Sequence, residues 1–201
     1  MANVHNQPKS NNWIIWLIVI LILILIGFYF FSHRNTEVTA EAASDSSTIE
    51  STINNNWTGV EDVPEQNYDG LNDAETSTRG NDQYAVYSVD ETVLFDVGKS
   101  TIKPGAENRL KSIVGSAEKR FPKGDIRIYG YTDSTGNAAE NKSLAQSRAE
   151  AVRDWMLKNG NIQASRITIN PVGEQRPVAS NATDAGRKKN RRVEIAVRKK
   201  Q

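Results

Sequence analysis

The C-terminal part of the chain, residues 83–201, is predicted to form an α/β (α+β) sandwich with the element order β-α-β-α-β-β, a mixed sheet and helices on one face. Two observations predict this class. Short segments with apolar residues at every second position alternate with longer segments whose apolar residues recur every three or four positions. An apolar run and an acidic segment precede them, so the domain is expected to follow a membrane helix and a linker.

Four segments are predicted to be strands. The first has Val93, Phe95 and Val97 on one face, and the last has the same alternation. In chain order the four are Thr92–Val97, Asp125–Tyr131, Arg166–Asn170 and Arg192–Val197.

Two amphipathic helices are predicted between these strands. The first begins near Pro104, which suits a first helical turn, and ends at residues 121–124. Asn141 is a candidate cap for the second helix, which runs to the stop signal Asn159-Gly160. The two apolar stripes consist of Ala106, Leu110, Ile113 and Ala117, and of Ala145, Ala149, Val152 and Met156.

Residues 13–32 are predicted to form a single transmembrane helix. The nineteen residues from Trp13 to Phe31 contain no charge, and at ~1.5 Å per residue they would span roughly 28 Å, close to the ~30 Å hydrocarbon core. The alternative is a cleaved signal peptide, whose apolar region is usually shorter. Residues 1–12 are expected to be a cytoplasmic tail, although Lys and Arg mark the orientation only weakly.

Residues 33–82 are predicted to be a disordered acidic linker. Apolar residues are sparse and aperiodic there, and residues 35–82 have a net charge of −10. Such a segment would serve as a flexible tether between membrane and domain. A specific partner site around Trp57 is the alternative.

Charge and composition exclude several function classes. Residues 83–201 have a net charge of +9, the chain contains no cysteine, and its two histidines, His5 and His33, flank the apolar run. Disulfides, cysteine-bound zinc and a thiol nucleophile are therefore excluded. No metal site, cofactor or enzymatic activity is expected, because no nucleophile with an adjacent base and no phosphate-binding glycine loop is found.

Asp133 and Arg148 are the two candidate binding residues. Asp133 follows a predicted strand, where ligand sites collect in open α/β sheets, but the same TDSTG segment is also typical of an ordinary turn. Arg148 borders the apolar stripe of its helix and has no acidic residue three or four positions away. A carboxylate must therefore come from elsewhere. Either a loop acid such as Asp133 or a ligand could supply it.

Several separated motifs resemble the OmpA-like C-terminal domain family, over about residues 91–197. The motifs are GYTDSTG (130–136), LAQSRA (144–149), VGEQRPV (172–178) and GRKKNRRVEI (186–195). The resemblance implies non-catalytic binding of peptidoglycan through the diaminopimelate group of its stem peptide. In that family an Asp, matching Asp133, takes the ammonium of this group, and an Arg, matching Arg148, takes its carboxylate.

The resemblance implies supporting roles for further residues. Thr132 matches a residue that lines the family's pocket, and Arg191 and Arg192 match an arginine pair of which one approaches the ligand. Gly98 departs from the Asn or Asp common in relatives, which would remove one polar contact. The complete set of expected ligand-binding residues is Asp133, Arg148, Thr132, Asn141, Asp96, Phe95, Arg191 and Arg192.

Together these features predict a protein that tethers the bacterial inner membrane to the cell wall, with a single membrane pass and the C-terminal domain in the periplasm. The alternative is an envelope adaptor in which the same domain binds a protein partner or a second copy, and wall binding is secondary. Nucleic acid is not an expected partner, because the chain is expected to be tethered to a membrane and has no aromatic-rich basic face. Attraction to an anionic wall polymer explains the charge of the basic segment 187–192.

Overall fold

The computed structural model describes residues 57–200. Five strands and four α-helices follow one another in this range, with a short 3-10 turn at Ala164–Arg166. The strands are β1 Thr76–Gly80, β2 Tyr84–Asp90, β3 Asp125–Tyr131, β4 Ile167–Gly173 and β5 Arg192–Arg198. The helices are α1 Glu91–Leu94, α2 Ala106–Arg120, α3 Ala138–Asn159 and α4 Asp184–Asn190.

The strands form one mixed sheet in the order β1-β2-β5-β3-β4. Only β3 and β4 are parallel, and the other neighbours are antiparallel. Asp90 at the end of β2 pairs with Arg192, and Gly130 near the end of β3 pairs with Val193. The C-terminal ends of β2 and β3 therefore lie beside the N-terminal end of β5, at the same end of the strands.

The two long helices pack on one face of this sheet, as predicted. Every residue of the two predicted stripes is buried, and all of them except Ala145 belong to one core cluster with Ile126, Ile128 and Ile195 of the sheet. A side chain on Gly130 would collide with the backbone of Ala145, so α3 lies unusually close to β3. This close approach brings the middle of α3 to the C-terminal ends of β2 and β3.

The opposite face of the sheet is covered by the segment that precedes β1. Trp57 and Val63 pack with Tyr129 and Tyr131, and residues 64–66 bond to the outer edge of β1. The prediction of a disordered linker is therefore wrong for residues 57–82. Sparse, aperiodic apolar residues do not predict an element of their own, but they are sufficient to cover a sheet that other residues form.

The predicted strand Thr92–Val97 is also wrong. The Asp90 side chain accepts a hydrogen bond from the Thr92 amide at 2.9 Å and caps the short helix α1 instead. Phe95 is buried, but Val97 is 88% exposed in the turn that follows. The first strands of the domain lie earlier in the chain, as β1 and β2.

Two smaller predictions are corrected in the second half of the domain. Asn137, rather than Asn141, caps α3, because its side chain accepts a hydrogen bond from the Glu140 amide at 2.8 Å. The strand predicted at Arg166–Asn170 continues through Pro171 to Gly173. The sheet tolerates this proline because β4 is an edge strand.

Within residues 57–200, no helix is both long and apolar enough to cross a membrane. The predicted tail 1–12, transmembrane helix 13–32 and linker residues 33–56 lie outside the described residues. No group of acidic, histidine or cysteine side chains in the described range could hold a metal ion.

Candidate ligand-binding site

Four charged side chains meet where β2 and β3 end and β5 begins. Asp133 follows β3, Arg191 lies between α4 and β5, Glu91 is the first residue of α1, and Arg148 extends from the middle of α3. We refer to these four residues as the site cluster. Two of them, Asp133 and Arg148, are the principal residues predicted from the sequence, so the fold brings the predicted pair to one location.

The four charges alternate along a chain of ion pairs. Asp133 Oδ2 lies 2.5 Å from Arg191 Nη1, and Glu91 Oε1 lies 2.8 Å from Arg191 Nε. Glu91 Oε2 in turn pairs with Arg148 Nη1. Arg148 therefore does not pair directly with Asp133. The carboxylate that its position requires comes from Glu91.

Arg148 is held in the interior of the domain with its charge at the site. The residue is only 1% exposed, its Nε donates to the Lys99 carbonyl at 3.2 Å, and its guanidinium lies 5.6 Å from the Phe95 ring centroid. Burial lowers the pKa of Arg148, and the attraction of Glu91 offsets part of this effect. An arginine buried to this degree depends on the carboxylate beside it.

Asp133 is positioned by its own loop. Its Oδ1 accepts a hydrogen bond from the Thr135 amide at 2.9 Å. The Asn141 side chain donates to the carbonyls of Asp133 and Thr135 and to Glu174 Oε2, at 3.3, 3.1 and 2.6 Å. Burial alone would raise the pKa of Asp133, but the hydrogen bonds from Arg191 and Thr135 lower it below its ordinary value. Asn141 thus fixes the loop that presents an ionised Asp133.

The buried atoms Glu91 Oε2 and Arg148 Nη1 have each other as ionic partners and make no further hydrogen bond within residues 57–200. Thr132 Oγ1, in the residue before Asp133, is buried and has no hydrogen-bond partner in the same range. Because buried polar groups normally have a partner, this hydroxyl is consistent with a polar ligand in its vicinity.

Of the remaining predicted residues, Phe95 contacts the site cluster, whereas Asp96 and Arg192 lie away from it. The Phe95 ring packs against the Arg148 guanidinium. Asp96 lies in an exposed turn, in which the Lys99 amide donates a hydrogen bond to the Asp96 carbonyl. Arg192 is not part of the site, because its side chain lies on the opposite sheet face over the Tyr131 ring, 3.6 Å from its centroid. Successive residues of a strand point to opposite faces, so only one arginine of the pair 191–192 can reach the site.

Glu91 is the site residue that the sequence did not predict. The sequence does indicate that an acidic partner exists, because Arg148 requires a carboxylate that its own helix does not provide. Glu91 itself lies far from Arg148 along the chain, so spacing in the sequence does not identify it as that carboxylate.

Residues 94–191 match the OmpA family. The chain therefore contains an OmpA-like domain. It is 42% identical over 112 residues to outer membrane porin F of Pseudomonas fluorescens, covering 56% of this chain and 34% of that protein. It is 38% identical over 120 residues to the probable lipoprotein YiaD of Escherichia coli, covering 60% of this chain and 53% of that protein. The match thus spans about a third and about half of these two relatives.

Solved structures show the same fold. The cell wall anchor of the T6SS from Pseudomonas aeruginosa superposes with a TM-score of 0.56 at 27% identity, covering 63% of this chain and 89% of that structure. The periplasmic domain of Helicobacter pylori MotB, at 21% identity, shares the fold with a TM-score of 0.58, covering 68% of this chain and 88% of that structure. The relatives are proteins of the bacterial cell envelope. Glu91 precedes the residues matched to the family.

Proposed function

We propose that the domain binds peptidoglycan without catalysis, through the diaminopimelate group of the stem peptide. Asp133 binds the ammonium of its free amino acid head, and Arg148 binds the carboxylate of that head. The observation that supports this proposal most strongly is the site cluster itself, in which an ionised carboxylate held by its own loop and a buried guanidinium lie in one chain of ion pairs.

The chemistry of the ligand fits these groups. A guanidinium can bind a carboxylate through two parallel hydrogen bonds, and a carboxylate fixed by its loop can bind an ammonium. Thr132, the residue before Asp133, has a buried hydroxyl without a partner in residues 57–200, which could accept or donate a further hydrogen bond. A stem peptide with lysine in place of diaminopimelate lacks the second carboxylate, so it could not engage Arg148. Selectivity would follow from the charge that remains unpaired.

The cellular role follows from the same proposal. Residues 13–32 would hold the chain in the inner membrane with a single pass, and the domain would bind the wall in the periplasm. The cell wall anchor among the similar structures supports binding to the wall, and the uncharged apolar run Trp13–Phe31 is the observation that supports the membrane anchor. A fractionation experiment on cells that express the full chain tests the membrane location separately.

Co-sedimentation with insoluble diaminopimelate-type peptidoglycan tests the binding. We expect the detergent-solubilised full chain to sediment with the polymer, and Asp133→Asn and Arg148→Lys to remain largely in the supernatant. The matched controls are Asp154→Asn and Arg153→Lys, which alter an exposed ion pair on the same helix as Arg148. If all variants sediment alike, the proposal is wrong and the adaptor alternative is favoured.

A further inference from the structure

The ion pair between Glu91 and Arg191 carries the same two charges as the proposed ligand. Glu91 places a carboxylate on Arg148, and Arg191 places a cation on Asp133. The two side chains also pair with each other, with Glu91 Oε1 2.8 Å from Arg191 Nε. Each proposed ligand-binding group is therefore paired with an internal group of the charge that the ligand would supply.

The backbone holds this internal pair in place. The Glu91 amide donates to the Arg191 carbonyl at 3.0 Å, where the end of β2 meets the beginning of β5. Glu91 is buried and Arg191 is partly exposed. Attraction to Asp133 and Glu91 raises the pKa of Arg191 although burial opposes it. Each side chain has two opposite charges within reach.

We propose that Glu91 and Arg191 act as an internal mimic of the ligand head, which competes for Arg148 and Asp133 and thereby sets the selectivity of the site. This inference rests on the proposed function. Binding would be an exchange of partners, in which the ligand carboxylate replaces Glu91 on Arg148 and the ligand ammonium replaces Arg191 on Asp133. Glu91 and Arg191 then keep each other as partners.

The exchange favours a ligand that carries both charges. With diaminopimelate, every charge of the site cluster is paired before and after binding. With a lysine side chain, the ammonium can displace Arg191 from Asp133, but the carbon that carries this ammonium has no carboxylate to replace Glu91 on Arg148. The internal pairing also lowers the apparent affinity of any ligand, because only the fraction of molecules in which Glu91 and Arg191 have left Arg148 and Asp133 can bind.

Calorimetric titration of the full chain in detergent tests this proposal with two soluble tripeptides, L-Ala-D-Glu-diaminopimelate and L-Ala-D-Glu-L-Lys. The double variant Glu91→Gln/Arg191→Gln removes both competing charges and leaves the net charge unchanged. We expect it to bind the diaminopimelate tripeptide about 5- to 150-fold more tightly than the wild type, the usual range of coupling between two binding events. The matched control is Asp184→Asn/Arg187→Gln, which removes an exposed ion pair on α4.

A single variant keeps the test decisive if the double variant does not fold. Arg191→Gln frees Asp133 but leaves Glu91 on Arg148, so it should bind the lysine tripeptide more tightly and reduce the preference for diaminopimelate. A merely structural role of Arg191 would not change this preference. Unchanged or weaker binding of both tripeptides by a variant with a normal thermal unfolding transition would overturn the proposal.

The outcome also separates this proposal from the proposed function. If the wild type binds neither tripeptide, or if Arg148→Lys binds as the wild type does, the proposed function itself is wrong. If the wild type binds and Arg148→Lys does not, but the Glu91 and Arg191 variants bind both tripeptides as the wild type does, only the proposed internal mimic is rejected.

Discussion

Arg191 and Arg192 are neighbours in the chain, but their side chains belong to different ionic clusters on opposite sides of the sheet. Arg191 belongs to the site cluster. Arg192 belongs to a second group, which we call the opposite-face cluster and which consists of Arg192, Glu194, Tyr131 and Arg79. In that group Glu194 accepts from Arg192 Nε at 2.8 Å, from the Tyr131 hydroxyl at 3.3 Å and from Arg79 Nη2 at 3.4 Å.

The two clusters differ in how completely their polar atoms are satisfied. Arg192 also donates to the carbonyls of Asn190 and Arg176, at 3.3 and 3.5 Å. In the opposite-face cluster one carboxylate is shared by three donors, whereas in the site cluster Glu91 Oε2 and Arg148 Nη1 have only each other within residues 57–200. A fully bonded buried network stabilises the fold, and we assign binding to the cluster with fewer bonds. We therefore expect variants to separate stability from binding.

The largest effect on stability is expected from Glu194→Ala. Removing the shared carboxylate leaves buried Arg192 uncompensated, which costs about 3–5 kcal/mol of the free energy of unfolding. Chemical denaturation measures this loss. Peptidoglycan binding by the remaining folded protein should be unchanged, and a folded Glu194→Ala protein that no longer bound would show that the clusters are not separable.

Arg148→Ala should reduce binding by about 2–5 kcal/mol, the scale for truncating one partner of a hydrogen-bonded charge pair. Because the structure pairs Arg148 with buried Glu91, this variant should also be less stable than the wild type. The variant Glu91→Gln/Arg148→Met, which removes both buried charges, should recover stability without recovering binding. Titration and denaturation of the same samples check both statements, and recovered binding would contradict the assigned role of Arg148.

Gly130→Ala should lower the stability by a smaller amount, through a structural change on the sheet face that carries α3. The new methyl group would collide with the Ala145 backbone and displace α3, and overpacking of this kind costs about 1–3 kcal/mol. Since Arg148 lies on α3, we expect weaker binding as well. Gly115→Ala is the matched control, because a methyl group there meets no atom within 4 Å.

The smallest effect concerns pH. The pKa of Asp133 is lower in the folded protein than its ordinary value of 3.8, so its stabilising contribution is fully present above that value and is lost as the pH falls through the folded-state pKa. Wild type and Asp133→Asn should therefore differ in stability at neutral pH and converge in strong acid. Denaturation at a series of pH values measures this difference, and a gap that widened towards low pH would contradict the assigned pairing of Asp133.

The elements with strong apolar periodicity could be predicted from the sequence. The two long helices and the strands β3, β4 and β5 are confirmed, with small shifts at their ends. The elements from Trp57 to Leu94 were missed or misassigned. Their apolar residues are few, and a single side chain, Asp90, is sufficient to convert an alternating segment into a capped helical turn.

Site residues could be predicted only where their position in the sequence was itself informative. Asp133 and Arg148 followed from position and from the missing intrahelical partner. Glu91 could not be located, because the partner of a buried charge is determined by the fold and not by spacing along the chain. The choice between Arg191 and Arg192 likewise depends on which sheet face each side chain occupies.

A crystal structure of the domain with the L-Ala-D-Glu-diaminopimelate tripeptide would test the central claim most directly. We predict that the carboxylate of the free amino acid head contacts Arg148 and that its ammonium contacts Asp133, with Glu91 turned towards Arg191. A cleft of about 580 Å³ on the other side of the sheet, lined in part by Arg192 and Glu194, offers a different place. A tripeptide bound in that cleft, with the ion pairs of the site cluster unchanged, would contradict the account.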